Sequence, residues 1–485
     1  MSVIATTAPG TGQRAVGNAR WIAVSQAGRV ATQLIAVAVL ARLLAPADFG
    51  LMAMAATVTT LASMLRDMGT GAAVIQKERL DDATVTAVFW FNLCMGLAIA
   101  AAIALGSPLI AAAFRHDTLV PVLCALALVF PLTSSTTAHQ ALLERSSSFR
   151  LLARIEISSG TAGLAVAVLA AALGAGVYSL VLQSITAALL SSVQLWLASR
   201  WRPHGRPLWS GLRGIAGFSG NLAGFNFINY FARNADSMII GRFLGAAALG
   251  AYAVAYRLML FPLQNLSFIA TRALLPVMSR QQNDPAAMAG LYLRCLSVIA
   301  TLAAPLMAGA FVLREPLIHL LAGPGWQTAA DILFWLAPTG FVQSIVSTIG
   351  TVLMARGRTD ILMRIGVVSA VVQVAAFLAG LRFGVVGVAA FHCAANLLIA
   401  LPFMHIVLRQ VGESLRSLAA VLWAPMLSAA LMAGALAALR ASGVLSPLDT
   451  ASSFAVCVLA GALLYPLLLA GVFRQDLRQL LVLVE

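Results

Sequence analysis

Long apolar segments alternate with short polar ones along the whole chain. About fourteen of these segments reach the roughly 20 residues that an α-helix needs to cross a hydrocarbon core. They lie near residues 20–43, 48–66, 83–106, 118–140, 151–173, 177–199, 214–235, 246–271, 288–312, 328–354, 361–381, 384–408, 418–440 and 451–473. The pattern predicts an all-α polytopic membrane protein with about 14 transmembrane helices.

One stretch of sequence returns later in the chain at a constant offset. The segment ARLLAPADFG at residues 41–50 matches GRFLGAAALG at residues 241–250, so that Arg42 aligns with Arg242 and Gly50 with Gly250. The implied repeat unit holds six helices. Because six is even, both copies enter the membrane from the same side, and the repeats are expected to be parallel.

The repeat also predicts the domain organisation. We expect two six-helix lobes around a central cavity, followed by two extra C-terminal helices that have no partner in the repeat. The predicted parts are a cytoplasmic N-terminal tail (1–19), an N-lobe with helices 1–6 (20–200), a cytoplasmic linker (201–213), a C-lobe with helices 7–12 (214–410), and helices 13–14 with a cytoplasmic C-terminal tail (411–485).

Polar side chains form a stripe on the first predicted helix, and the seventh helix repeats it at the same offset. The two stripes consist of Gln26, Arg29 and Gln33 and of Asn226, Asn229 and Arg233. The spacing of three and then four puts each set on one helix face. A charge at the bilayer centre costs at least about 2.5–3.5 kcal/mol, so we expect the stripes to line a wet cavity between the lobes. Hydrogen bonding between helices is the alternative reading.

Three further polar residues join the predicted cavity. Asp236 follows Arg233 by three residues near a predicted helix end, where the two could equally form an interfacial charge pair. Arg257 and Gln264 share one face of the eighth helix. The predicted substrate-binding set therefore comprises both stripes together with Asp236, Arg257 and Gln264.

Composition and charge agree with a membrane protein and define its orientation. Charged residues make up 10% of the chain, mean hydropathy is +0.92, and the net charge is +14. With the N-terminus inside and fourteen spans, 22 of the 31 basic residues fall on the cytoplasmic side. The opposite side holds Arg42, Arg115, Arg233, Arg242, Arg314, Arg382 and Arg440. This bias follows the positive-inside rule, so the basic charge reports topology rather than nucleic-acid binding, and both termini are expected in the cytoplasm.

The sequence carries no pattern typical of an enzyme, a metal site or a cofactor site. The five cysteines all fall in predicted helices without a CxxC spacing. No glycine-rich phosphate loop or catalytic triad is present, and no loop is long enough for a folded domain. We therefore predict a protein that is not an enzyme and needs neither metal nor cofactor.

Several blocks of the sequence resemble the bacterial polysaccharide-exporter family. They are ARLLAPADFGLMAMA (41–55), RDMGTGAAVIQ (66–76), ALLERSSSFRLLARIE (141–156), NADSMIIGRFLGAAALGAYAVAYRLMLFPLQNLS (234–267) and WQTAADILFWLAPTGFVQSIVSTIGTVLMARGRTD (326–360). The likeness extends to about residue 410. The family belongs to the superfamily that also holds multidrug exporters and the peptidoglycan lipid-precursor flippase.

The resemblance implies a function. Such a protein would flip an undecaprenyl-pyrophosphate-linked oligosaccharide across the bacterial inner membrane for exopolysaccharide, capsule or O-antigen (lipopolysaccharide) synthesis, with a polymerase and export machinery as possible partners. Guanidinium groups such as Arg29 and Arg257 suit a pyrophosphate. Amides suit sugar hydroxyls, and Tyr252 and Tyr256 could stack on sugar rings. These roles follow from position in the helices and not from an aligned motif.

The superfamily also implies coupling to H⁺ or Na⁺. Asp236 and Glu156 are the predicted coupling residues, and His139 and His392 are weaker titratable candidates. Two other functions remain open at this point. A cation-coupled multidrug exporter would share the lobes but need a carboxylate in its cavity, whereas a non-transporting partner of a polysaccharide-synthesis complex would leave the polar stripes without a purpose.

Overall fold

The protein is described by a computed structural model that covers residues 11–66, 70–76, 81–204, 213–264, 278–281 and 284–472. Within these residues the regular structure is entirely helical, which confirms the all-α prediction. The chain divides into two compact units, Met1–Asn234 and Ala235–Glu485, called unit 1 and unit 2 below. The domain boundaries predicted around residues 201–213 stay a prediction.

Unit 1 begins with a long helix that breaks just before a proline. Its helices are α1 (Thr11–Leu43), α2 (Pro46–Arg66), α3 (Thr70–Gln76), α4 (Asp82–Phe114), α5 (Leu119–Ala127), α6 (Val129–Ser134), α7 (Thr137–Arg145), α8 (Phe149–Ala172) and α9 (Tyr178–Ala198). Pro46 suits the first position of α2 because a first-turn N–H has no helical partner in any case. Asp48 Oδ2 accepts the backbone N–H of Ala45 at 3.1 Å and holds the turn.

A 50-residue helix, α10 (Arg213–Pro262), leads from unit 1 into unit 2. The helices that follow are α11 (Pro285–Val312), α12 (Arg314–Ala322), α13 (Gln327–Val346), α14 (Ile349–Ala355), α15 (Thr359–Gly380), α16 (Gly384–Gln410), α17 (Leu415–Ala441) and α18 (Thr450–Val472). The path of α10 is broken at Gly245, where φ is 85° and ψ is 178°. A glycine fits there because side chains disfavour positive φ.

The sequence repeat is visible in the structure. The break between α1 and α2, at Leu44 and Ala45, aligns with the break of α10 at Gly245. Internal packing repeats as well: α8 packs on α9 as α15 packs on α16, and α4 packs on α5 as α11 packs on α13. Equivalent helices therefore make equivalent contacts within each unit.

The structure does not confirm the predicted number of fourteen membrane-spanning helices. The described residues hold eleven helices that are long and apolar enough to span, or twelve if the bent pair Leu119–Ser134 and Thr137–Arg145 forms one span. One of the eleven, Thr359–Gln410, contains both α15 and α16. The helices that the repeat left unpartnered, α17 and α18, pack on α11, and the Tyr465 hydroxyl donates to the carbonyl of Thr301 at 2.9 Å.

Candidate functional site

Four polar side chains of unit 1 form a hydrogen-bonded group, which we call the Arg29 cluster: Ser25, Gln26 and Arg29 on α1 and Glu156 on α8. Arg29 Nε lies 3.2 Å from Glu156 Oε1, and Arg29 Nη2 donates to Gln26 Oε1 at 2.8 Å. The Ser25 hydroxyl donates to Glu156 Oε2. The cluster thus joins a predicted substrate residue to a predicted coupling residue.

The close approach of α1 and α8 explains why these side chains meet. A Cβ added to Gly28 would lie 2.9 Å from the Cδ1 and Cγ1 atoms of Ile157, so a larger residue at position 28 would require the Ile157 side chain to shift. Ser25 and Arg29 lie one helical turn apart on the same face of α1. The packing of α1 on α8 therefore brings that face within reach of Glu156.

The ion pair of the Arg29 cluster is accessible. The side chains of Arg29 and Glu156 are 52% and 41% exposed. Ion pairs with such exposure contribute only about 0.2–1 kcal/mol, so another anion can compete for the guanidinium. Gln33, one turn further along α1, is exposed and has no hydrogen-bond partner among the described residues. The α1 face can therefore offer both a guanidinium and an amide to a ligand.

Unit 2 holds a carboxylate in a different environment. Asp236 is 4% exposed. Its Oδ2 accepts the Tyr252 hydroxyl at 3.1 Å, and its Oδ1 accepts the backbone N–H of Ser237 at 2.6 Å. The Ser237 side chain also hydrogen-bonds the carboxylate. All of these donors are neutral, and the described residues supply no cation. An ionised carboxylate in such a site carries a large desolvation penalty, which a bound proton or cation would remove.

The surroundings of Asp236 correct one expectation from the sequence. The sequence predicts a helix end near Asp236, but α10 continues past it as far as Gly245, and the carboxylate is buried inside unit 2. The pairing of Asp236 with Arg233 stays a prediction. The sequence repeat indicates this longer helix. Because α1 runs to Leu43, the aligned helix should run to Phe243, well beyond Asp236. The side chains of Asn226, Asn229 and Arg233 lie outside the described residues.

Aromatic rings connect Asp236 to a second buried polar group. The rings of Tyr252 and Tyr256 stack with centroids 5.5 Å apart, and Tyr256 lies 6.5 Å from His392. Tyr252 is almost completely buried and its face is covered by Tyr256, so of the two tyrosines only Tyr256 keeps partial exposure. His392 is also buried and stacks on Phe377.

His392 has amide partners that the sequence analysis missed. Its Nε2 lies 3.4 Å from both Gln343 Nε2 and Asn396 Nδ2, while Nδ1 has no hydrogen-bond partner among the described residues. Asn396 lies one turn after His392 on α16, so the helical spacing could have revealed it. Gln343 lies on α13, and no sequence pattern pairs it with α16.

Arg257 differs from Arg29 in having no counterion among the residues that the structure describes. It lies on α10, within the candidate span Asn234–Phe261, and is exposed. In the described part of the chain, no carboxylate or other acceptor contacts its guanidinium. Gln264, two residues beyond the end of α10, is exposed as well. No hydrogen bond or ion pair recorded for the described residues joins either side chain to the buried group around Asp236.

His139, the remaining titratable candidate, lies in unit 1 among aromatic side chains. Its ring is completely buried against Phe89, Trp196 and Trp201, with centroid distances of 6.2, 4.5 and 5.3 Å. The described residues contain no group of three or more His, Cys, Asp or Glu side chains placed to hold a metal ion.

Comparison with known proteins identifies the relatives of this chain. The profile of a family described as "Polysaccharide biosynthesis protein" matches residues 39–331. The chain is 26% identical over 421 residues to lipopolysaccharide biosynthesis protein WzxC of Escherichia coli (strain K12), with 85% of each chain covered. It is 27% identical over 417 residues to succinoglycan biosynthesis transport protein ExoT of Rhizobium meliloti (strain 1021), covering 86% of this chain and 84% of that protein.

Solved structures share the fold. Lipid II flippase MurJ in an inward closed conformation matches with a TM-score of 0.75 at 14% identity, covering 94% of this chain and 99% of that one. An inward-facing multidrug resistance MATE family transporter of the MOP superfamily matches with a TM-score of 0.56 at 13% identity, covering 78% and 94%. The chain therefore shares its fold with these two structures.

Proposed function

We propose that this chain, which belongs to the polysaccharide biosynthesis protein family, is a flippase that moves lipid-linked oligosaccharide repeat units across the membrane. The proposed substrate is an undecaprenyl-pyrophosphate-linked oligosaccharide that serves exopolysaccharide, capsule or O-antigen synthesis. Alternating exposure of its binding site to the two membrane faces would carry the sugar across. Relatives named for lipopolysaccharide biosynthesis and succinoglycan transport support this assignment.

The observation that carries the proposal is the exposed guanidinium of Arg257 inside a candidate membrane span. A cation in that position is costly unless it faces water or an anion. No acceptor among the described residues compensates it, so an anionic ligand fits the site. A pyrophosphate fits especially well because the forked donors of a guanidinium bind phosphate oxygens bidentately.

The sugar part of the substrate needs neutral polar partners. A hydroxyl without a partner in hydrocarbon costs roughly 4–8 kcal/mol, so a repeat unit cannot cross the bilayer unaided. The exposed amides Gln26, Gln33 and Gln264 supply donors and acceptors of the required kind. We assign the same role to Asn226 and Asn229 from the repeat, and anion contact to Arg233.

We assign ion coupling to Asp236. A buried carboxylate with neutral donors gains most from taking up a proton or Na⁺, whereas Glu156 already has a cation beside it. Burial also argues against the multidrug-exporter alternative, because a carboxylate covered by Tyr252 offers no open surface to a large amphiphilic cation. Arg257 argues in the same direction because it would repel such a cation.

The protein would act in the bacterial inner membrane with both termini in the cytoplasm, as the distribution of basic residues favours. It would make and break no covalent bond, so it is a transporter rather than an enzyme. A polymerase and export machinery would then receive the flipped unit on the other side of the membrane.

The function can be tested by measuring polymer export in a host from which the gene for this chain has been deleted. Loss of the chain should stop polymer export and cause lipid-linked repeat units to accumulate in a form that external glycosidases cannot reach. The wild-type chain should restore export, and Arg257→Ala should not, although it inserts normally. Normal export without the chain, combined with new sensitivity to cationic dyes, would instead favour a multidrug exporter.

A further inference from the structure

The Arg29 cluster suggests a role for Glu156 that differs from ion coupling. Its Oε1 atom lies 3.2 Å from Arg29 Nε, where an anionic ligand would otherwise bind. We infer that Glu156 is an internal stand-in for the substrate anion: it holds Arg29 in the empty transporter, yields the guanidinium to the pyrophosphate, and takes it back when the substrate leaves. This inference rests on the proposed function.

Accessibility makes such an exchange feasible. Roughly half of each side chain in the pair is exposed, so a phosphate can reach the guanidinium without unpacking α1 from α8. Arg29 Nη1 has no acceptor among the described residues and can make the first contact. Carboxylate and phosphate oxygens use the same guanidinium donors, so the two anions compete for one site.

Ser25 leaves the Glu156 carboxylate with a hydrogen-bond donor after Arg29 has turned to the substrate. Its hydroxyl donates to Oε2, the oxygen that does not contact Arg29 Nε. This hydrogen bond can persist when Arg29 turns to the substrate. Gln26 acts on the other member of the pair. It accepts a hydrogen bond from Arg29 Nη2 and thereby fixes the orientation of the guanidinium.

A transporter gains from an internal competitor because it must release what it binds. The apparent affinity of a site falls by the fraction of time that the site is blocked. Glu156 would therefore lower the affinity of Arg29 for pyrophosphate and speed release on the far side. Arg257, which has no such competitor in the described residues, would provide the steadier contact.

The test is a binding measurement on the full-length protein in nanodiscs with undecaprenyl pyrophosphate as the probe and uncharged undecaprenol as the blank. Glu156→Gln should bind the probe about twofold to fivefold more tightly, the range expected from a half-exposed ion pair. In vesicles the same variant should show a lower KM and a lower kcat. Glu144→Gln is the matched control, because the carboxylate of Glu144 also lies in unit 1 but accepts its hydrogen bond from the neutral side chain of Gln140 rather than facing an arginine.

Two further variants separate competition from simple repulsion. In an Arg29→Ala background, Glu156→Gln should leave binding unchanged, whereas tightening that persists there would show that Glu156 merely repels anions and would overturn the inference. Ser25→Ala should act in the opposite direction and weaken binding, because the released carboxylate loses its hydrogen bond. Unchanged or weaker binding by a folded Glu156→Gln protein would also overturn the inference.

The binding measurement distinguishes failure of the proposed function from failure of the proposed role of Glu156. If the wild-type protein binds undecaprenyl pyrophosphate no better than undecaprenol, anion recognition itself is wrong, and the stand-in role falls with it. If the wild type binds and Arg29→Ala binds more weakly, but Glu156→Gln does not tighten, only the stand-in role is wrong.

Discussion

The Tyr252 hydroxyl donates a hydrogen bond to Oδ2 of Asp236 at 3.1 Å, and both side chains are almost completely buried in unit 2. The two residues lie on either side of the break at Gly245, so the bond joins the two halves of α10. A charge change at Asp236 would act directly on this contact. It therefore links the candidate coupling carboxylate to the point where the helix is interrupted.

Asp236→Asn should uncouple transport. The amide keeps the size of the side chain and can still accept from Tyr252, but it can neither exchange a proton nor balance a cation. We expect flipping in vesicles to become insensitive to imposed pH and Na⁺ gradients. The comparable Asp331→Asn change alters an exposed carboxylate on α13 and should leave the gradient response intact. A normal response in Asp236→Asn would rule out Asp236 as the coupling residue.

Tyr252→Phe should destabilise unit 2. The change removes only the hydroxyl and leaves the buried Asp236 with one donor fewer, a loss of about 1–3 kcal/mol in the free energy of unfolding. Thermal unfolding of the purified protein measures it, with Tyr178→Phe as the control at an exposed position. The effect should shrink in an Asp236→Asn background. Equal losses in both backgrounds would mean that the hydroxyl does not act through Asp236.

Gly163→Ala should disturb the packing of α8 on α9. A Cβ at position 163 would lie 2.8 Å from the backbone oxygen of Gln183 and 3.1 Å from Ala187 Cβ, so the helices must separate. Overpacking of this kind costs about 1–3 kcal/mol. Gly160→Ala, on the same helix, meets only Thr32 at 3.9 Å and should be neutral or slightly stabilising. Thermal unfolding compares the two, and equal stability would contradict this packing.

Asp449 should make the start of α18 sensitive to acid. Hydrogen bonds from the side chain and backbone N–H of Ser452, and from the backbone N–H of Ala451, lower the pKa of Asp449 below its ordinary value. Because the folded pKa is depressed, this stabilisation is complete above the unfolded pKa of about 3.9 and is lost as the pH falls through the folded pKa.

Hydrogen exchange tests this acid sensitivity. After correction for intrinsic rates, the peptide that contains Ala451 and Ser452 should lose protection at about pH 3 relative to pH 6. Asp449→Asn also caps a helix but does not titrate, so its protection should not depend on pH in this window. Acid-dependent protection that survives in Asp449→Asn would assign the effect to another group.

The sequence was a good guide to the helices and to the repeat, because hydrophobic periodicity and turn positions are local properties. It was a poorer guide to the clusters. Arg29 and Glu156 lie on helices far apart in the chain, and no spacing rule pairs them; the same holds for Gln343 and His392. Ser25 and Asn396 could have been predicted from helical spacing, since Ser25 lies one turn before Arg29 and Asn396 lies one turn after His392. Local polarity places a helix end near Asp236, whereas the aligned helix α1, which runs to Leu43, indicates that the helix continues beyond Asp236.

Flipping of an undecaprenyl-pyrophosphate-linked oligosaccharide by this chain can be followed in vesicles. The most direct measurement uses vesicles that contain the purified protein and a substrate labelled with a fluorophore on the sugar, with an impermeant quencher added outside. The wild type should expose the inner-leaflet half of the label, and Arg257→Ala should slow this phase at least about tenfold, as expected for the loss of a charge-assisted contact, while Arg382→Ala should not. Quenching no faster than in protein-free vesicles, or equal acceleration for a labelled phospholipid, would contradict the account.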